Sequence, residues 1–296
     1  MNEKNRLTGI LCAFAGGIMW GLSGTFGQYL FLQHGVTAKW LVSVRLLTAG
    51  ALMLIPVIIK KKEDVLFFIR DGKTFLTMIL YAILGMGLCQ LGYYSAIELS
   101  NAGTATVIQY TGPAMIMVYL CLRNRKLPTI LQVAALVMTM IGVVLLATKG
   151  ELDTLNISTG ALAWGLASAV ALVVYNLLPI KLLQTHSTFL VMGWGMIIAG
   201  IMLSVYVKPW HIEGSWDIKA LGAFAVVILV GTILAFSIYM EGVKLCGAQT
   251  ASIVSAIEPV TATVATILIM NINFTLVEFV GMGLIIAAVI ILAAKE

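Results

Sequence analysis

Residues 247–269 read GAQTASIVSAIEPVTATVATILI, an apolar stretch with Glu258-Pro259 at its centre. Its length suits one helical crossing of a hydrocarbon core about 30 Å thick. A carboxylate at that depth costs roughly a few kcal/mol. The adjacent proline removes a backbone donor and breaks one turn, which hydrocarbon tolerates only where neighbouring protein or a water-filled cavity satisfies the freed groups. Something polar or proteinaceous therefore faces this point.

The same pattern occurs earlier. At an offset of 146 positions Tyr93 aligns with Tyr239, Leu99 with Leu245, Ala102 with Ala248, Thr104-Ala105 with Thr250-Ala251, and Pro113 with Pro259. Thr8-Gly9 and Thr159-Gly160 match at an offset of 151. The chain thus reads as a duplicated unit, residues 1–150 and 151–296, each copy with a central proline in its fourth apolar block.

Sixty per cent of the residues are hydrophobic and ten per cent charged, in apolar blocks too long and too uniform for barrel strands. The fold class is an all-α integral membrane protein of ten transmembrane helices, at about 8–31, 38–59, 74–97, 101–122, 128–148, 159–182, 188–207, 219–243, 247–269 and 275–294. Thirteen of the eighteen Lys and Arg fall on one side if the N-terminus is cytoplasmic, including Lys60, Lys61, Lys62, Arg123, Arg125 and Lys126. That bias places both termini in the cytoplasm of a multi-pass plasma-membrane protein. It also accounts for the net charge of +5 without invoking nucleic acid. The first block is too long for a signal-peptide core and is read as a retained helix. Five spans per copy is an odd number, so the second copy enters from the opposite side. An inverted repeat with interrupted helices places a binding site near the midplane.

The first helix has a stripe of small residues, Gly9, Ala13, Gly17 and Gly21, which permits close approach of another helix. Ala163, Ala167 and Ala171 suggest the same device in the sixth. Trp20, Ser23 and Gln28 form a polar edge on helix 1. Arg45 lies within the second span, where it either pairs with another helix or faces a cavity. Tyr93-Tyr94 reads as an interfacial aromatic pair. Ala105, Gln109 and Pro113 share a face of the fourth helix, as do Ala251, Ser255 and Pro259 of the ninth. Helices 5 and 10, with Gln132 and Glu278 near their ends, read as peripheral or dimer-facing. Cys12, Cys89, Cys121 and Cys246 lack metal-type spacing, so neither a metal site nor a cofactor is expected.

Trp20-Gly21, Arg45, Tyr94-Ser95-Ala96 followed by Ala102, Ala105 and Pro113, and again Ala248, Ala251 and Glu258-Pro259, resemble the EamA family of the drug/metabolite transporter superfamily. The resemblance covers nearly the whole chain. It implies two inverted five-helix halves, a central cavity lined mainly by helices 1, 3, 4, 6, 8 and 9, and transport of small metabolites, often amino-acid export. Because the arginine and Glu-Pro elements look family-wide, the resemblance implies coupling or architecture for Arg45 and Glu258; the expected substrate contacts are the less shared Trp20, Ser23, Gln109, Tyr175, Asn176 and Ser255, and Pro113 and Pro259 are the expected helix breaks that gate.

The expected function is secondary active transport of small polar metabolites, in particular amino acids or related zwitterions, with Glu258 near the amine or acting in proton coupling. Cationic amines held by an aromatic box of Trp20 and Tyr175, and a lipid-linked-substrate flippase subunit, are the alternatives. An enzyme is not expected, since His34, His186 and His211 lie in or beside loops without a paired nucleophile or base. The expected partners are the bilayer and a small-molecule substrate, in a monomer or homodimer.

Overall fold

The computed structural model describes residues 3–60, 64–100, 102–154, 158–270 and 275–294. Lys61, Lys62 and the uncharged segment Asn271-Ile272-Asn273 lie outside the described residues. The chain is all helical there: α1 (Glu3–His34), α2 (Ala38–Lys60), α3 (Gly72–Glu98), α4a (Ala102–Gln109) and α4b (Thr111–Asn124), α5 (Ile130–Thr148), α6 (Thr159–Thr185), α7 (Thr188–Val207), α8 (Ile218–Cys246), α9a (Ala248–Val254) and α9b (Ile257–Met270), and α10 (Leu276–Ala294). Among the described residues nine helices are long and apolar enough to span a membrane. The remaining expected span, 247–269, is divided into α9a and α9b, as the fourth is into α4a and α4b.

Both breaks sit just ahead of the prolines. Tyr110 separates α4a from α4b, and Ser255-Ala256 separates α9a from α9b. Proline's missing N–H leaves the carbonyl four residues earlier without its helical donor. In the second copy that carbonyl is Ser255 O. It accepts the Glu258 N–H at 2.9 Å and, from the other half of the protein, the Tyr110 hydroxyl at 3.2 Å. A second matched irregularity is a π-helical turn in α3 (Tyr81–Gly87) and in α8 (Leu229–Leu234). The Thr232 hydroxyl donates to the Val227 carbonyl at 2.7 Å there, satisfying backbone that the widened turn releases.

Each helix packs on a partner from the other copy: α1 on α8, α3 on α6, α2 on α7 and α5 on α10. These pairings are what a two-fold relation between inverted copies requires. Glycine sets the separations. A Cβ on Gly17 would lie 2.8 Å from Ser255 O, and one on Gly50 would lie 2.8 Å from Gly193 O. Gly142 and Gly281 face each other across α5 and α10 with the same closeness. Those two helices therefore pair with each other inside the chain. Gln132 and Glu278 act as helix caps, each closing a reciprocal box with Thr129 or Thr275.

The small stripe of α1 behaves as expected, with Gly9 against Cys246, Gly17 against Ile257 and Gly21 against Glu258 and Thr261. That of α6 does so only in part: Ala171 is buried, but Ala163 is exposed, and the packed residues ahead of Ala171 are Ala161, Gly165, Ser168 and Ala169, because Gly165 must admit Ile108 and Ser168 abuts Gly92. The connection after α2 folds onto α7: Phe67 and Phe68 are buried and the Trp194 indole donates to Val65 O at 2.8 Å.

Candidate functional site

A cavity of about 800 Å³ occupies the centre of the molecule. It is bounded by α1, α3, α4, α6, α8 and α9, with Arg45 entering from α2 and Val143, Leu146 and Ala147 lining it from α5, which is therefore not peripheral. It extends to one end of the helices, where Val36, Glu98, Lys149 and Glu278 line the mouth. Ion pairs Lys39–Glu98 (3.7 Å) and Lys149–Glu278 (3.6 Å) sit at that rim.

The floor is aromatic. Trp20 lies 5.0 Å from Phe236 and 4.7 Å from Tyr239, ring centre to ring centre. Tyr239 stacks on Tyr175 at 6.3 Å, and Tyr175 on Tyr81 at 6.2 Å. Offset and edge-on contacts at these separations are favourable and hold a layer of rings rigid. The three Tyr–Tyr and Tyr–Trp steps come from four different helices, so the layer ties α1, α3, α6 and α8 together.

Arg45 is buried at 4 % exposure. Its Nη1 donates to the Tyr94 hydroxyl at 2.9 Å and its Nη2 to Gln90 Oε1 at 2.8 Å. Both acceptors are neutral. Among the described residues no ion pair joins Arg45 to Glu258 or to any other carboxylate. A guanidinium held this way keeps its charge without a counter-charge in contact, an arrangement that is costly unless the cavity supplies one. Its Nε, the indole Nε1 of Trp20 and the hydroxyl of Tyr175 are buried polar atoms with no partner among the described residues. All three residues line the cavity.

Glu258 lies on the α9 wall of the same cavity, beside the Tyr110 hydroxyl. The break in α9 is what brings its carboxylate there: α9b starts at Ile257, so Glu258 occupies a first helical turn, where backbone N–H groups favour negative charge. Gln109 donates to Ser168 Oγ at 2.7 Å, and the Ser168 hydroxyl in turn donates a hydrogen bond to Cys89 O at 2.8 Å. This network fixes the α4a wall against α6 and α3.

Of the sequence-predicted contacts, Trp20, Ser23, Gln109, Tyr175 and Ser255 line the cavity, as do Arg45, Glu258, Pro113 and Pro259. Asn176 does not. It is fully buried, accepts from the Tyr239 hydroxyl at 2.6 Å and donates to Leu172 O at 2.9 Å, so it clamps a floor residue from behind. Tyr93 and Tyr94 are not interfacial: both face the cavity, Tyr94 beneath Arg45 and Tyr93 in a hydrogen bond with Thr106 (3.0 Å). Gln90, Tyr110, Phe236 and Tyr239 are site residues the sequence reading missed. The alignment of Tyr93 with Tyr239 was the available signal, since a tyrosine kept at both copies of an inverted repeat marks the shared interior.

The EamA-like transporter family model matches twice, at residues 7–148 and 159–294. The uncharacterized inner membrane transporter YicL of Salmonella typhimurium is 34 % identical over 289 residues, spanning 96 % of this chain and 95 % of that protein. The uncharacterized transporter YcbK of Bacillus subtilis is 23 % identical over 189 residues, 62 % of this chain and 61 % of its own. A solved crystal structure shares the fold with a TM-score of 0.78 at 17 % identity, over 96 % of this chain and 95 % of the other.

Proposed function

This chain belongs to the EamA-like transporter family, and from that premise we propose that it is a secondary active exporter of small zwitterionic metabolites, amino acids or their close relatives. The observation that carries the proposal is the pair Arg45 and Glu258, opposite charges on different walls of one cavity that are not spent on each other. A zwitterion complements both at once, its carboxylate toward the free Nε of Arg45 and its ammonium toward Glu258. Ser23, Gln109 and Ser255 offer hydrogen bonds along the walls, and the Trp20–Tyr239 floor receives an apolar substituent. The cavity volume lies in the range of small-molecule sites.

Transport proceeds by alternating access. The cavity opens toward the Lys149 and Glu278 end and is closed by the aromatic floor at the other. Because the copies are inverted, exchanging their conformations closes the first end and opens the second. The breaks at Tyr110 and Ser255 are the points at which α4 and α9 bend. With both termini cytoplasmic, as the distribution of Lys and Arg favours, the present opening faces outward, the state in which an exporter releases its cargo. Glu258 exchanges a proton with the cavity in each cycle and so couples flux to the proton gradient. The whole path lies within one chain, and a monomer suffices for it.

The test is uptake and efflux of labelled amino acids in proteoliposomes with an imposed pH gradient. Wild-type protein should accumulate substrate with the gradient and Glu258→Gln should move it only downhill. Unchanged flux and unchanged pH dependence in the variant would remove the coupling role. The ring cluster Trp20, Phe236, Tyr239 and Tyr175 favours a second reading, in which a cationic amine sits over the floor beside Glu258. Protection from thermal unfolding by quaternary amines and not by amino acids would select it.

A further inference from the structure

A second, wholly apolar groove lies on the lipid-facing side of α4b. Thr111, Ala114, Met115, Val118, Tyr119 and Leu122 line it, with Met140 of α5 opposite, around a volume of about 480 Å³. The α4b residues recur at three- and four-residue spacing, so the groove runs along one helical face toward the end of α4b. There the chemistry changes abruptly. Arg123 lies over the groove-lining Tyr119, its Cζ 6.0 Å from the ring centre and its Nη1 donating to the Tyr119 hydroxyl at 3.2 Å. Arg125 and Lys126 follow, both exposed, and none of the three cations takes part in an ion pair among the described residues. Leu127 and Ile130 beside them are 92 % and 86 % exposed.

We propose that this groove and its basic end form a docking site for an anionic phospholipid, with an acyl chain along α4b and the phosphate against Arg123 and Arg125. An apolar channel alone fits any lipid tail. Three unpaired cations at its mouth select a negative headgroup, since basic side chains gain attraction only from anionic lipid at the membrane surface. The arrangement belongs to the first copy alone: at the repeat offset Arg123, Arg125 and Lys126 correspond to Ile269, Asn271 and Ile272. The duplicated fold therefore does not require these charges. The groove also begins at Thr111, the first residue after the break in α4, and lies on the opposite face from the cavity, so an occupant contacts the segment that bends.

The test uses full-length protein stripped of lipid in detergent, titrated with phosphatidylglycerol or with phosphatidylcholine of identical chains, and read by native mass spectrometry and by melting temperature. Phosphatidylglycerol should bind at least about tenfold more tightly than phosphatidylcholine, and Arg123→Gln with Arg125→Gln should abolish that difference. Val118→Trp, at an exposed position, should fill the groove and lower retention of both lipids. Lys181→Gln, an exposed cation elsewhere, should change neither. Glycerol 3-phosphate alone should produce no shift, because the chain is needed. Equal binding of the two lipids, or full selectivity in the double arginine variant, would overturn the proposal. So would a shift with glycerol 3-phosphate alone, which would indicate a free-phosphate site, or a doubled mass through this face, which would indicate a second copy as occupant.

Discussion

The seam between α5 and α10 offers a controlled test of how the two halves are held together. Gly281 and Gly283 are two residues apart on α10, so replacing either with alanine changes helix propensity equally, by up to about 1 kcal/mol in favour of alanine. Their surroundings differ. A Cβ on Gly281 would lie 2.9 Å from the Gly142 carbonyl oxygen and 3.2 Å from Leu145 Cβ, whereas one on Gly283 has nothing within 4 Å. The obstruction at Gly281 is backbone and cannot rotate away, so α10 must move off α5. Overpacking of this kind costs about 1–3 kcal/mol. Because the propensity gain cancels between the two variants, Gly281→Ala should be less stable than Gly283→Ala by about 1–3 kcal/mol. At roughly 2–4 °C per kcal/mol, the separation in detergent-solubilised protein is on the order of 2–12 °C. Gly142→Ala meets Gly281 O at 2.7 Å and opens the same seam. The double variant should therefore cost less than the sum of the singles. Indistinguishable melting of Gly281→Ala and Gly283→Ala would refute the view that glycine sets this separation.

Tyr110→Phe removes one of two donors to Ser255 O and leaves the Glu258 N–H in place, so its cost should be about 0.5–1.5 kcal/mol, read as a fall of a few degrees in the melt. No fall would mean that the cross-half bond holds nothing. Arg45→Gln should abolish the thermal stabilisation given by carboxylate-bearing ligands, which at 100 times the dissociation constant is worth about 2.7 kcal/mol. Retained stabilisation would move the carboxylate site elsewhere. Outside the spans, the Ala220 N–H, aided by His34, holds the Asp217 carboxyl below the ordinary carboxylate range. Its contribution is present above the unfolded value of about 4 and is lost as pH falls through the lower folded value. Asp217→Asn should therefore differ from wild type in melts at neutral pH and converge with it in acid.

The apolar blocks, the repeat and the paired prolines were legible because each rests on residue type alone. The position of the α9 break was half legible. Pro259 announced it, but the fracture falls at Ser255-Ala256, where the carbonyl released by the proline finds Tyr110, a partner more than a hundred positions away. The π turns of α3 and α8 have no residue signature, since any apolar sequence can widen by one residue when its neighbour demands it. Tyr93 and Tyr94 were misread for a related reason: an aromatic near the end of a span suits the membrane surface and a cavity mouth equally, and only Arg45 decides. Asn176 shows that a polar side chain in mid-membrane needs a partner, and that Tyr239 serves as well as a substrate. The caps Thr129–Gln132 and Thr275–Glu278 carried a readable signature that the weak polarity of their helices obscured.

The reciprocal pairing of α1 with α8 and α3 with α6 means that neither copy is complete by itself. Each lends helices to the other's interior, and the Ser255 carbonyl relies on a hydroxyl from the opposite copy. The covalent link between Thr154 and Ser158 is therefore secondary to the non-covalent interface. Made as two separate polypeptides cut within that link, the copies should find each other in the bilayer as subunits do, while either one produced alone should be unstable and degraded. In that sense the chain is a heterodimer whose two subunits have been joined end to end.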